Sequence, residues 1–350
     1  MPRLRRADCA APGINRVRRG RGFAYRDGKG EPVTDPELLQ RISDLAIPPA
    51  WKDVWICPHP NGHIQAIGTD AAGRRQYRYH DDWRVQRDRE KFDRVLEFAA
   101  RLPKAREITA KDLVLEGMPR ERALATAFHL LDLGFFRVGG EEYAEAHGTY
   151  GLATILREHV TVASDFITFD YIAKHGKEIV RTLAHSEVCE AVRVMKRRRG
   201  GGPELLAYRV GTKWVDVKST DINDYLRESL GPDIEASAKD FRTWHGTVLM
   251  AVGLAVSTTA PTSPTARRRA VNRVVGEVAH YLGNTPAVAR SAYIDPRVID
   301  KYNDGVTVSR ALDKLGADVD FGQPATRGAV EAAVLRMLRE PAVATERRAS

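Results

Sequence analysis

Residues 282–296 read LGNTPAVARSAYIDP and carry one tyrosine, Tyr293, nine residues after Asn284. A phenol can act as a nucleophile, and four other residues suit an anionic target. Arg137 stands in FFRVGGEEY, Arg242 in KDFRTWHGT and Lys174 in AKHGKE. Arginine presents a planar fork that matches phosphate. A lysine can give a proton to a leaving alkoxide, and the Asn284 amide can donate a hydrogen bond. Together the set fits attack of tyrosine on a phosphodiester, forming a covalent ester that retains the bond energy. The transition state is a phosphorane with extra negative charge on its non-bridging oxygens. Each preorganised donor aimed at such charge contributes ~2–4 kcal/mol, by analogy with oxyanion holes. The chain has no P-loop, HExxH, GxSxG or carboxylate cluster at metal-ligand spacing, so neither a cofactor nor a metal is expected. Taken singly, each residue also has an ordinary reading. Tyr293 fits a core or surface tyrosine, Arg137 a helix cap, and Lys174 a solvated loop tip.

The elements that must position these residues are readable around them. Val271, Val274, Val275, Val278 and Leu282 recur at helical spacing. Gly283 reads as the stop of that helix, and Thr285-Pro286 as the cap and first position of a short one that Pro296 limits. Leu124, Ala127, Phe128, Leu131 and Phe135 form another helical stripe, with Gly134 near its end and Arg137 just past it. Residues 165–183 read as a β-hairpin with Lys174, His175, Gly176 and Lys177 at its tip. Arg242 precedes the apolar run VLMAVGLAV, which reads as a helix. Further helices are expected around Val188 to Met195 and over 220–230, and a short strand pair over 208–217. After Val308 the pattern is an amphipathic helix followed by a charged, Ala-rich end, to which no chemistry is assigned.

Nearer the N-terminus, residues 47–79 alternate and are broken by Gly and Pro, as in a small antiparallel sheet. In RRQYRY, Gln76 and Arg78 fall on one face of a strand, Tyr77 and Tyr79 on the other. Gln and Arg can read base edges, while Tyr can contact phosphate or stack. The competing reading is a strand with one buried aromatic face. Residues 83–102, with Phe92, Val95, Leu96 and Ala99, read as helix. The expected organisation is α+β. A basic arm over 1–30 leads to a β-rich DNA-binding domain over 31–86, and then to a larger, mainly α-helical catalytic domain over 87–350 that carries a β-hairpin.

Composition fits this picture. The 350 residues are 43% hydrophobic and 29% charged, with a net charge of +9. Such a surplus favours a polyanionic partner, nucleic acid first. Cys9, Cys57 and Cys189 have neither disulfide-framework nor zinc spacing, which points to a reducing intracellular setting. No run is apolar and long enough to span a membrane, and no secretory leader is read.

With these motifs in order, residues from about 48 to 302 resemble the type IB DNA topoisomerases, in particular the compact poxvirus-like branch found in bacteria. The resemblance implies a C-shaped clamp with a tyrosine-recombinase-like catalytic domain. It assigns Arg137, Lys174, Arg242, Asn284 and Tyr293 as the catalytic set. Gln76, Tyr77, Arg78 and Tyr79, with Tyr143, become DNA contacts. It further implies a monomer acting on supercoiled duplex DNA in the cytoplasm, associated with the nucleoid, through a 3′-phosphotyrosine and a free 5′-hydroxyl. Two features depart from the pattern. Many members carry histidine where Asn284 stands, and AK replaces the more usual GK before His175, which leaves Lys177 as a second candidate acid. A tyrosine recombinase shares the chemistry, but its HxxR motif is here Lys239-x-x-Arg242. A non-catalytic DNA-binding protein on the same fold is the remaining alternative.

Overall fold

The computed structural model describes residues 3–257, 263–315 and 327–340. The chain divides into two units, Met1–Lys91 and Phe92–Ser350. In the first, β1 (Ile14–Arg19) and β2 (Gly22–Arg26) form a hairpin, followed by helix α1 (Pro36–Asp44). Then come β3 (Lys52–Ile56), β4 (Ile64–Thr69) and β5 (Arg75–Tyr79). The five strands make an antiparallel sheet in the order β2-β1-β3-β4-β5. Asp35 caps α1 by accepting from the Glu37 amide, and Pro36 takes the first helical position. Ile42 of α1 packs with Ile14, Val54, Ile56 and Ala66 to form this unit's core.

Residues 1–30 were expected as a basic arm, yet Ile14–Arg19 and Gly22–Arg26 are strands. Composition hid the pattern. Ile14 is the buried anchor, paired with Ile56. Arg16 lays its guanidinium over Phe23 and donates to the carbonyls of Pro48 and Trp51. An arginine's long stem lets a strand pack while its charge meets polar groups at the edge.

Helix α2 (Asp81–Leu113) runs through the division between units. The second unit continues with α3 (Arg120–Gly134) and α4 (Glu141–His147), then a three-stranded antiparallel sheet in the order β6 (Val160–Ala163), β7 (Phe166–Ala173), β8 (Lys177–Ala184). Next are α5 (Ser186–Arg197), the pair β9 (Ala207–Val210) and β10 (Lys213–Asp216), and α6 (Ser219–Leu230). The chain then passes through α7 (Ala238–Val256), α8 (Pro264–Leu282), α9 (Pro286–Ala292), α10 (Pro296–Asn303), α11 (Ser309–Leu315) and α12 (Ala329–Arg339). The charged end expected beyond residue 340 lies outside the described residues.

Helix α7 is buried on nearly all sides, as an element at the centre of a domain must be. Phe241 meets Phe98 and Phe128 edge to face, and Trp244 is 1% exposed. Arg242 therefore rises from a closely packed part of the core. Among the described residues, no helix is long and apolar enough to cross a membrane.

Candidate active site

Two helix ends and one hairpin tip build the site around α7. Helix α8 stops at Gly283, whose left-handed backbone (φ 63°) closes the last turn. The Asn284 amide then bonds back to the Ala279 carbonyl at 2.9 Å. Thr285 caps α9, with Pro286 first in the helix. Tyr293 follows its last residue, in a non-helical conformation (φ −128°), and its amide donates to Ala289. The next residue, Ile294, is fully buried and anchors the turn. Helix α7 touches the tyrosine's backbone directly. The Thr247 hydroxyl lies 3.4 Å from the Tyr293 carbonyl and accepts from the Asp295 amide at 3.1 Å.

Arg242 sets its guanidinium 5.0 Å from the centre of the Tyr293 ring. It is 3% exposed. It donates to the Leu282 carbonyl at 2.6 Å and to the Phe135 carbonyl, while its Nε has no partner. Burial, then the neighbouring Arg137, push this guanidinium down to about 10, and Tyr293 opposes them. The group is charged at neutral pH, and an arriving anion would relieve both penalties.

Arg137 follows the end of α3, where Phe135 turns the chain with φ 56°. Its guanidinium donates to Asn284 Oδ1 at 2.6 Å and to the Gly283 carbonyl at 3.2 Å. Asn284 Nδ2 is left buried without a partner. Such an orphan donor is costly unless a ligand completes it. Lys174 sits at the β7–β8 tip, where His175 (φ 68°) and Gly176 (φ 70°) reverse the chain. Arg137, Lys174, Arg242 and Tyr293 line one cleft of about 290 Å³, joined by Lys239, Thr149 and Tyr150. No acidic residue lines this cleft among the described residues. Four cations and the phenols of Tyr150 and Tyr293 thus surround a space fit for a phosphodiester, while Asn284 does not line it and reaches it only through its bond to Arg137.

A family model described as the catalytic core of eukaryotic DNA topoisomerase I matches residues 80–315, well over half of the chain. The chain belongs to the type IB DNA topoisomerases. A second model, the N-terminal domain of bacterial DNA topoisomerase IB, matches residues 22–70. The enzyme is 29% identical over 301 residues to DNA topoisomerase 1B of Acanthamoeba polyphaga mimivirus, covering 83% of this chain and 88% of the viral one. It is 21% identical over 302 residues to the DNA topoisomerase 1B of vaccinia virus (strain Copenhagen), covering 81% and 90%.

Two parts of the enzyme's site escaped the sequence. Arg181 of β8 donates to the Gly134 carbonyl and, at 2.9 Å, to the Tyr281 carbonyl, with its guanidinium 5.4 Å from the Phe135 ring. It ties the end of α3 to the end of α8, the two corners that carry Arg137 and Asn284. Its only signal was a charge inside an otherwise β-like run. Lys239 was noted for its spacing from Arg242, but its place in the cleft follows from their sharing one helix face.

On β5 the exposed face is the aromatic one. Tyr77 and Tyr79 are 43% and 38% exposed, with near-parallel rings 6.0 Å apart. Gln76 and Arg78 are half-buried, and the Gln76 amide donates to Asp70 at 2.9 Å. The reading of a buried aromatic face is thereby overturned. The backbone of Tyr143 lies in α4, and its side chain falls outside what the structure describes.

Proposed function

We propose that this topoisomerase relaxes supercoiled duplex DNA by transesterification through Tyr293. The phenolic oxygen attacks a backbone phosphorus and releases its proton to solvent, the P–O5′ bond breaks, and a 3′-phosphotyrosine remains. Lys174 supplies the proton that the departing 5′-oxygen needs. Arg137, Arg242 and Asn284 Nδ2 hold the non-bridging oxygens as charge builds on them. The duplex swivels about the intact strand, and the 5′-hydroxyl then attacks the phosphotyrosine to restore the backbone. The two units close as a C-shaped clamp around the DNA. Tyr77 and Tyr79 meet it from the sheet, and Tyr143 contacts a phosphate. A monomer suffices, acting wherever the cell keeps its DNA.

The observation that carries this reading is the convergence of Arg137, Lys174, Arg242 and Tyr293 on one cleft without a lining carboxylate. The test is relaxation of a negatively supercoiled plasmid in EDTA without ATP, with Tyr293→Phe beside the wild type. Relaxation by the wild type alone, with DNA binding retained in the variant, is the expected result. Relaxation by the variant would remove Tyr293 from its role. DNA binding without relaxation by either protein would favour a recombinase or a binding protein.

A further inference from the structure

Two and three residues after Arg242, helix α7 carries Trp244 and His245, and both join a buried ionic network. Its centre is Asp132 of α3, whose side chain is wholly buried. Asp132 accepts two bonds of 2.9 Å from Arg106 of α2 and a third from Arg327, and His245 Nε2 lies 3.4 Å away. The second carboxylate is Glu331 of α12. It accepts from Arg106 at 2.6 and 3.1 Å and from the Trp244 indole at 2.8 Å. Two carboxylates and two guanidiniums, drawn from α2, α3, α12 and the residue pair before α12, balance one another inside the domain.

The network grips both partners of one hydrogen bond that holds Arg242. Arg242 donates to the Phe135 carbonyl. Phe135 lies three residues after Asp132, and its ring meets the His245 ring edge to face at 5.0 Å. Asp132 thus holds the end of α3, and Glu331 holds α7 through Trp244. Arg106 bridges the two carboxylates. A buried ion network is weak evidence for stability when compared with apolar packing, which leaves holding geometry as the role to test. Transesterification is sensitive to such geometry, because small displacements of a reacting group are costly.

We propose that Glu331 is a positioning residue for the transesterification, so that the C-terminal helix α12 helps to set Arg242 and Tyr293. The inference rests on the reaction proposed above. The experiment is single-turnover cleavage of a duplex that traps the covalent adduct, at saturating DNA, with rates referred to the molecules that react. Glu331→Ala is expected to slow cleavage about 10- to 100-fold with the DNA Kd within twofold. Glu331→Gln keeps an acceptor for Trp244 and should recover part of the rate. Combined with Arg242→Lys, Glu331→Ala should cost less than the product of the two single losses, because both act through one group.

A purely structural role predicts otherwise. It gives a normal rate for the molecules that react, whatever Tm the loss of a buried carboxylate leaves, and multiplicative effects in the double variant. Those results would overturn the proposal. Should Glu331→Ala fail to fold, Trp244→Phe removes the indole donor together with part of the buried ring volume, and leaves Arg106 paired. It must still slow cleavage several-fold, and a wild-type rate in that variant would overturn the proposal. The wild-type control separates the two readings. If it forms no adduct, the reaction itself is refuted and this role with it. If it forms adduct and Glu331→Ala reacts as fast, only the role of Glu331 is refuted.

Discussion

Gly246 offers a direct test of how α7 places Tyr293, the proposed nucleophile. A Cβ at this position would lie 2.7 Å from the Tyr293 carbonyl oxygen and 3.2 Å from Leu282 Cδ1, against ordinary contact at 3.4 Å or more. The leucine methyl can shift. The carbonyl is held by its turn, because the Tyr293 amide bonds to Ala289 and the Asp295 amide to Thr247. Gly246→Ala must therefore part α7 from the tyrosine turn by about 0.7 Å, the difference between those two distances. Overpacking of this kind costs ~1–3 kcal/mol, and replacing a mid-helix glycine by alanine returns up to ~1 kcal/mol. At roughly 2–4 °C per kcal/mol for a domain of this size, Tm should fall by a few degrees. The kinetic effect should be larger. A 1 Å misplacement can cost ~100-fold, so a loss of about 10-fold or more in single-turnover cleavage is expected, with DNA binding little changed. Cleavage at the wild-type rate would refute the reasoning. If Tm fell while the rate held, the turn would be yielding elsewhere and α7 would not be setting the phenol.

Other perturbations probe separate parts of the site. Lys174→Ala should slow cleavage of ordinary DNA but spare a 5′-phosphorothiolate substrate, whose leaving group needs no proton. Equal slowing on both would move the acid role to another group, Lys177 first. Asn284→Ala removes the acceptor for Arg137 and the orphan donor, and should slow cleavage about 100- to 1,000-fold. Asn284→Asp should be slower still, because its carboxylate would pair with Arg137 and repel phosphate. An aspartate variant faster than the alanine one would contradict that account. Burial pushes His129 down to about 4, with His185, Arg327 and Arg106 adding to the effect and Asp132 opposing it. The unfolded chain takes up that proton near pH 6.5, so the stability tied to this group is full above about 6.5 and lost as pH falls towards 4. Tm should drop through that window, with a slope of at most about 1.4 kcal/mol per pH unit for one proton. His129→Asn should flatten the slope, and an unchanged profile would count against this assignment.

How far the sequence could be read depended on whether the signal was local. The Gly283 stop and the Thr285-Pro286 start are fixed by backbone rules within a few residues, and both stand where spacing put them. The β7–β8 hairpin and its Lys174 tip were legible for the same reason. The hairpin over 14–26 was not, because arginine-rich composition masked a strand whose anchor, Ile14, finds its partner 42 residues away. On β5 the alternation showed which residues share a face, but not which face meets the core. Pairing decides that. Arg78 stands opposite Ala66 of this unit's core cluster, and the observed burial has Gln76 and Arg78 turned inward and the tyrosines outward. The network around Asp132 draws on residues more than 200 positions apart, and no local pattern could have announced it.

The arginines of the site share a way of being held. Arg242 donates to the carbonyls of Phe135 and Leu282, Arg137 to that of Gly283, and Arg181 to those of Gly134 and Tyr281. All of these carbonyls lie at the C-terminal ends of α3 and α8, where the helix dipole leaves about half a negative charge. A carboxylate would fix a guanidinium more firmly, but it would also neutralise it and compete with the substrate. Half-charges on carbonyls orient the forks and leave most of their positive charge unmet. The carboxylates of the domain instead serve one layer back, where Asp132 and Glu331 hold Arg106 and Arg327. Two kinds of acceptor thus divide the work. Helix ends aim the cations that face the cleft, and buried carboxylates lock the helices that carry them. The cleft stays cationic until an anion enters it, and in the proposed reaction the group that gains most from those donors is the phosphorane, whose charge exceeds that of the ground state.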